Sequence, residues 1–161
     1  MSARAGIGYD THRLVAGRRL ILGGVEIEES GRGLEGHSDA DVLTHAVIDA
    51  LLGAAGLGDI GQHFPDTDLR WRDADSADLL GEVCSLLADH AWTIGHLDAT
   101  VICQAPKLAP YRDRMRAGLA ATIGLPTLEV NLKFTTNESM GFLGRGEGIA
   151  ALAVATLERA K

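Results

Sequence analysis

A chain of 161 residues that is 46% hydrophobic is long enough to bury one sizeable core, and it reads as a single domain over 1–161. Its net charge of −7 speaks against a general nucleic-acid or membrane surface, so any phosphate it binds must be captured locally. No apolar run approaches the roughly 18 residues of a membrane span, and Met1 to Gly6 lack the apolar core of a signal peptide; the expectation is a cytoplasmic protein with Cys84 and Cys103 as buried free thiols.

The first strand is expected at 5–10, and period 2 sends Asp10 and His12 to one face. Strands at 19–23 and 25–28 form a hairpin about Gly23-Gly24, and the polar run to Leu34 is read as a loop. A helix over 39–55 follows, with Ser38 or Asp39 as its N-cap. Val42, Leu43, Ala46, Val47, Ala50 and Leu51 define its buried face, while Asp41, His45 and Asp49 stack at i, i+4, i+8 along another stripe. Gly56 to Asp68 carries too many glycines, and Pro65, for a long helix, and is expected as a packed loop. Asp66 in that loop either serves a site or only caps a turn.

An amphipathic helix is expected at 76–92, a strand at 96–104 and a helix at 108–123, stopped by Gly124 and Pro126. Pro106 places Lys107 on a loop at the strand's carboxyl end. A strand at 128–136, a glycine-rich turn at 141–148 and a closing helix at 147–160 complete the chain. The fold expected is α/β (α+β): a mixed, mainly antiparallel sheet with helices on one face. Its other face would be left bare, which points to self-association.

One carboxylate–imidazole set carries most of the chemistry. Asp10-x-His12 at a strand end and His45 on the helix make three protein ligands of His/Asp type, the set of a catalytic zinc with one position open. Lys133 to Glu138 gathers a cation, two hydroxyls and a carboxylate at a strand end. Gly144-Arg145-Gly146-Glu147-Gly148 is read as opening a helix, whose free N–H groups favour anions; alternatively Arg145 simply pairs with an acidic neighbour. Together with Lys107 these features suggest a diphosphate held by metal ions, cations and hydroxyls.

Asp10-Thr11-His12, His37-Ser38-Asp39-Ala40-Asp41-Val42 with His45, Gly58-Asp59-Ile60-Gly61, Phe64-Pro65-Asp66-Thr67-Asp68, Gln104-Ala105-Pro106-Lys107, Thr135-Thr136-Asn137-Glu138 and Gly144 to Gly148 run in one order over nearly the whole chain. In this the sequence resembles the 2-C-methyl-D-erythritol 2,4-cyclodiphosphate synthase family. The resemblance implies a phosphorus–oxygen lyase of the non-mevalonate isoprenoid pathway that converts 4-diphosphocytidyl-2-C-methyl-D-erythritol 2-phosphate to the cyclic diphosphate and CMP. It also implies a homotrimer whose sheets face the axis, with active sites shared between neighbouring subunits, a Zn2+ (or another divalent transition metal) and a Mg2+ (or Mn2+).

Carried over by residue, the implied zinc ligands are Asp10, His12 and His45, and Glu138 is the magnesium ligand, with Lys133 in the catalytic set. His37, Ser38, Asp59, Gly61 and Asp66 match the methylerythritol phosphate pocket, and Asp49 is a supporting group. Cys103, Ala105, Pro106 and Lys107 match the cytidine loop, helped by Thr135 and Thr136. Phe142 and Arg145 complete the substrate-binding set, Arg145 matching a residue at the trimer axis beside a cavity suited to an isoprenoid phosphate. Cys103, Phe134 and Asn137 depart from the common pattern, and Phe134 is the largest change. Two competing readings use the same residues: a metal-dependent phosphohydrolase, and a non-enzymatic metal or isoprenoid-phosphate binder.

Overall fold

A computed structural model describes residues 2–159. In chain order its elements are β1 (Ser2–Ala16), β2 (Ile21–Leu22), β3 (Val25–Glu26), β4 (Arg32–Leu34), α1 (Val42–Ala55), α2 (Ile60–His63), α3 (Ser76–Asp89), β5 (Thr93–Ile102), α4 (Arg112–Ile123), β6 (Val130–Thr135), α5 (Gly141–Gly144) and β7 (Gly148–Arg159). Five strands form one sheet in the order β4-β1-β7-β5-β6, and β2-β3 is a separate hairpin. Every pairing in the large sheet is antiparallel except β5 with β6. The mixed, mainly antiparallel sheet with helices on one face is as expected.

Two glycines set the distance between that sheet and its principal helix. A Cβ on Gly8 would lie 1.8 Å from the Ala46 carbonyl oxygen, and one on Gly6 would lie 2.1 Å from that of Ala50. The backbone of β1 therefore runs directly against α1, and only glycine permits it at these two positions. The contact aligns the next residues of the same strand face, Asp10 and His12, with the first turns of α1. Fold and site are thus set by the same approach.

The closing helix expected at 147–160 is instead strand β7, residue 160 lying outside the described residues. It pairs with β1 from Gly148↔Arg13 to Arg159↔Ser2 and with β5 on its other edge. Its alanines favour a helix locally, but as a central strand it satisfies both backbone edges, and tertiary pairing overrides propensity. Period 2 is masked in the sequence because both faces are apolar. Ala151, Ala153 and Ala155 lie buried beneath the helical layer, whereas Leu152 and Val154 point outward.

Smaller differences concern boundaries. β1 extends to Ala16, and the run read as a loop after the hairpin contains β4, paired to the end of β1. Helix α1 begins at Val42 and its N-cap is Asp41, not Ser38 or Asp39. The Asp41 carboxylate is fully buried and accepts from Thr44 N and Oγ1 and from Gly23 N and Gly24 N, at 2.8–3.0 Å. It ties the β2-β3 hairpin to α1, so Asp41 is structural and leaves the Asp/His stripe; as a cap it contributes about 0.5–2 kcal/mol. Burial pushes its carboxyl up. Helix α4 starts at Arg112, after a short 3-10 turn over Ala109–Tyr111.

The face of the sheet away from the helices is bare and apolar. Ile7, Tyr9, Leu152 and Val154 are 70%, 51%, 37% and 42% exposed, and the register pairs Tyr9 with Leu152 and Ile7 with Val154. Cys103 is buried and Cys84 half-buried; both are free thiols, raised to about 11 by burial.

Candidate active site

Asp10 and His12 project from β1 toward α1, and His45 descends from the first turns of α1 to meet them. Asp10 Oδ2 lies 2.9 Å from His12 Nε2 and 3.0 Å from His45 Nδ1, and the two imidazole nitrogens are 3.3 Å apart. These three atoms form a group able to hold a metal ion. The far side of His12 confirms the orientation, since Nδ1–H donates to the Glu35 carbonyl at 2.8 Å and leaves Nε2 bare. A carboxylate oxygen and bare imidazole nitrogens converging this closely repel one another unless a cation or a proton sits between them. The donor set and its convergence fit a divalent transition metal.

The electrostatics of the cluster agree. Burial would raise Asp10, but hydrogen bonds and charge from His12 and His45 outweigh it and hold the carboxyl at about 2. Burial would lower His12, yet the hydrogen bond and charge of Asp10, with the Glu35 carbonyl, raise it above its ordinary value. His45 is less of a surface residue than its stripe suggested, with a side chain only 11% exposed.

A cleft of about 430 Å³ opens beside the cluster. His37, Ser38, Gly61 and Asp66 line it together with the three cluster residues, joining positions far apart in sequence. Asp59 is not among the lining residues; it is the N-cap of α2, accepting from Gln62 N at 3.0 Å. Asp49 accepts from Ile60 N at 2.8 Å and so pins the start of α2 against α1. Burial raises the Asp49 carboxyl. Arg18 donates to the carbonyls of Gly36 and Ser38 at 3.2 and 2.9 Å, fixing the loop that presents His37 and Ser38. The apolar wall comes from Ile60, Phe64, Pro65, Trp71 and Leu79, with Phe64 and Trp71 rings edge-on at 5.0 Å.

Trp71, Leu79, Arg18, Asp39 and Ser76 were missed as site residues in the sequence. Trp71 offered a signal as a lone large aromatic in a polar loop, and Asp39 as a cap candidate within the motif from His37 to Val42. The Trp71 indole Nε1 and His37 Nε2 are the two buried side-chain nitrogens without a partner among the described residues.

The second group expected from the sequence assembles elsewhere. Parallel pairing of β5 with β6 brings Cys103, Ala105, Pro106 and Lys107 beside Thr135, Thr136 and Glu138, with Cys103 N donating to Thr135 O at 2.9 Å. Ser139 N donates to Gln104 Oε1 at 3.3 Å and closes the two loops on each other. Glu138 and Ser139 both have left-handed backbones, with φ of +51° and +61°, which turn the chain sharply there. Across the sheet, Thr11, Ala150, Ile102 and Thr135 lie in one row. Two strand spacings to β5 and three to β6, roughly 10–14 Å, therefore separate the two groups' strands within one chain.

Lys133 lies on the bare sheet face, paired to Asp98 at 2.7 Å, and is not gathered with the Asp/His cluster in this chain. Phe134 points the opposite way, toward the helical layer, under the Arg112 guanidinium at 5.1 Å. The Gly144–Gly148 run opens a strand rather than a helix, so it supplies no helix N-terminus for an anion. Arg145 Nε instead pairs with Glu147 at 2.6 Å, the alternative left open above. Phe142, on α5, is 44% exposed and borders a small cleft with Thr11, Arg13 and Glu147.

Comparison with known proteins follows the same lines. The model of the YgbB family matches residues 3–158. The 2-C-methyl-D-erythritol 2,4-cyclodiphosphate synthase of Thiobacillus denitrificans is 59% identical over 156 residues, 97% of either chain. A bifunctional enzyme IspD/IspF of Anaeromyxobacter dehalogenans is 56% identical over 96% of this chain, which spans 40% of that relative's length. Among solved structures, the bifunctional IspDF of Campylobacter jejuni superposes with a TM-score of 0.94 at 39% identity, covering 99% of this chain and 43% of that one. A 2C-methyl-D-erythritol-2,4-cyclodiphosphate synthase in its CDP-bound form gives 0.88 at 39% identity, over 96% of this chain and all of that one. With a cluster and cleft of this kind and relatives at this level, the chain belongs to the YgbB family, that of the 2-C-methyl-D-erythritol 2,4-cyclodiphosphate synthases.

Proposed function

We propose that this chain converts 4-diphosphocytidyl-2-C-methyl-D-erythritol 2-phosphate to 2-C-methyl-D-erythritol 2,4-cyclodiphosphate and CMP. The single observation that carries the reading is the convergence of Asp10, His12 and His45 at the mouth of a half-apolar cleft. In this reaction the substrate brings its own nucleophile: an oxygen of the 2-phosphate forms a bond to the β-phosphorus while the bond from that phosphorus to CMP breaks. The protein needs no covalent nucleophile, only positioning and charge neutralisation.

Asp10, His12 and His45 would hold a zinc ion or another divalent transition metal, and Glu138 a magnesium or manganese ion; bound there, they supply positive charge that polarises phosphoryl oxygens. His37, Ser38, Asp59, Gly61 and Asp66 take the methylerythritol phosphate end, seating it against the apolar wall of Phe64 and Trp71. Cys103 to Lys107, with Thr135 and Thr136, take the cytidine end.

These two halves stand two to three strand spacings apart in one chain, which supports a site completed by a neighbouring copy. The bare patch of Ile7, Tyr9, Leu152 and Val154 supplies an apolar surface for that contact. A homotrimer with sheets toward its axis is the reading we adopt, with Arg145 and Phe142 near the axis and an isoprenoid phosphate as a candidate ligand there. Among the described residues no helix is long and apolar enough to cross a membrane, which accords with a cytoplasmic biosynthetic role.

The test is to incubate purified protein with the cytidyl substrate, zinc and magnesium, and to follow phosphorus NMR. Cyclic diphosphate and CMP are the expected products. Inorganic or linear phosphate would mean that water is the nucleophile and the protein is a phosphohydrolase. Binding without turnover would mean a carrier.

A further inference from the structure

We propose that Ser76 and Asp39 are positioning residues that fix the tautomer of His45 so that its Nδ1 is free to bind metal. The proposal rests on reading Asp10, His12 and His45 as a metal site. Neither residue reaches the cleft chemistry itself; both act through the ring of His45.

The two imidazoles of the cluster are held by different kinds of partner. His12 Nδ1 faces a backbone carbonyl, which can only accept, so the proton on that nitrogen is settled by one bond. His45 Nε2 faces two hydroxyls, Ser76 Oγ at 2.9 Å and Ser38 Oγ at 3.2 Å. A hydroxyl can donate or accept, so by itself it leaves the tautomer undecided. Were Ser76 to donate to Nε2, the ring proton would move to Nδ1, directly between Asp10 and His12, and the ligand atom would be lost.

Asp39 removes that freedom at Ser76, the nearer of the two hydroxyls, whose oxygen then favours Nε2–H, with the Ser38 hydroxyl free to turn as a second acceptor. Its Oδ1 accepts the Ser76 hydroxyl proton in a short hydrogen bond, and its Oδ2 accepts from Ser76 N–H at 3.0 Å. With its one proton committed to a carboxylate, Ser76 Oγ can only accept from His45 Nε2–H. Asp39 is anchored in turn, since Oδ1 also accepts from Asp41 N at 3.1 Å. Ser76 is fully buried at the start of α3, so water has no access to substitute for its hydroxyl. The chain Asp39–Ser76–His45 thus delivers one bare nitrogen to the cluster from across two helices. Such outer partners orient metal-binding imidazoles and raise their basicity.

Zinc affinity by chelator competition, together with nitrogen-15 NMR of the metal-free protein at alkaline pH, tests the proposal in wild type, Ser76→Ala and Asp39→Asn. With Asp10 Oδ2 3.0 Å from Nδ1 competing for the ring proton, wild type should show a larger share of the His45 Nε2–H form than either variant. Ser76→Ala should weaken zinc about 10–100-fold and shift the ring toward the Nδ1–H form, with native circular dichroism. Asp39→Asn keeps the hydroxyl but offers one oxygen to three donors, and should weaken zinc as well; a packing role for Ser76 alone would not produce this. Zinc affinity in Ser76→Ala within twofold of wild type, or an unchanged Nε2–H signature, would overturn the relay while leaving the metal site standing. A wild type that takes up no zinc would overturn both.

Discussion

His12 Nε2 and His45 Nδ1 face each other at 3.3 Å across the Asp10 carboxylate, one carried by a strand and the other by a helix. The separation in sequence is 33 residues, so nothing local forces the approach. It follows from the seating of α1 on the glycine face of β1, and the first tests concern its consequences.

His45→Ala should lose bound zinc and turnover together. Because the ring is largely buried between Ser38 and Ser76, it should also cost stability, by about 0.5–3 kcal/mol. Metal content by mass spectrometry and a thermal melt read the two effects separately. Full zinc occupancy in the mutant would rule out His45 as a ligand.

Gly8→Ala probes the seat itself. The added Cβ would fall 1.8 Å from a helix carbonyl oxygen, so α1 must lift off the sheet. Overpacking against rigid backbone belongs at or beyond the upper end of the usual range, about 3 kcal/mol or more. Denaturant unfolding should show that loss, and the zinc site should weaken with it. A mutant as stable as wild type would mean that the helix can shift freely, contrary to this packing.

The pH dependence of zinc binding follows from His12, whose raised pKa lets it keep its proton above the ordinary 6.5. Zinc must displace that proton, so affinity should begin to fall already above 6.5 and continue to fall as the pH is lowered. In the metal-free protein the His12 proton acts on stability with the opposite sign, and Asp10 with the same sign. The His12 contribution is complete below 6.5 and is lost as pH rises through the raised folded value. That of Asp10 is complete above 3.8 and is lost as pH falls toward 2. Affinity that stays flat across neutral pH would show that His12 carries no competing proton.

Glu138→Gln should retain zinc but lose the magnesium dependence and most turnover, since an amide is a poor partner for a hard cation. Glu138 is exposed and far along the sheet from the Asp/His cluster, so the fold should be untouched. Loss of zinc instead would assign Glu138 to the other site.

A shared site can be tested by mixing two inactive proteins. Asp10→Asn keeps a sound cytidine loop, and a Lys107→Ala, Thr136→Ala double mutant keeps a sound metal cluster. In a closed head-to-tail ring, refolding an equal mixture makes about one interface in four intact on both sides. Activity should rise from near zero to roughly a quarter of wild type. No recovery, with trimers confirmed by light scattering, would place each site within a single chain.

The sequence by itself determined the chemistry-bearing residues and most of the elements. Asp10-x-His12 on a strand and His45 on a helix are local patterns, and period 2 and period 3.6 are legible wherever one face is polar. The same logic failed where local signals were balanced. In β7 both faces are apolar and alanine-rich, so nothing local distinguished a helix from a central strand; pairing with β1 and β5 decided it. Asp41 looked like a member of the Asp/His stripe, and only the β2-β3 hairpin folding over α1 revealed a buried cap. Ser76 and Arg18 carry no site signal in sequence, and Asp39 signals only a helix cap within its motif, because a hydroxyl, carboxylate or guanidinium becomes a positioning group only through what lies opposite it. Tertiary structure decided that opposition, since contacts between residues distant in the chain depend on how closely the layers pack.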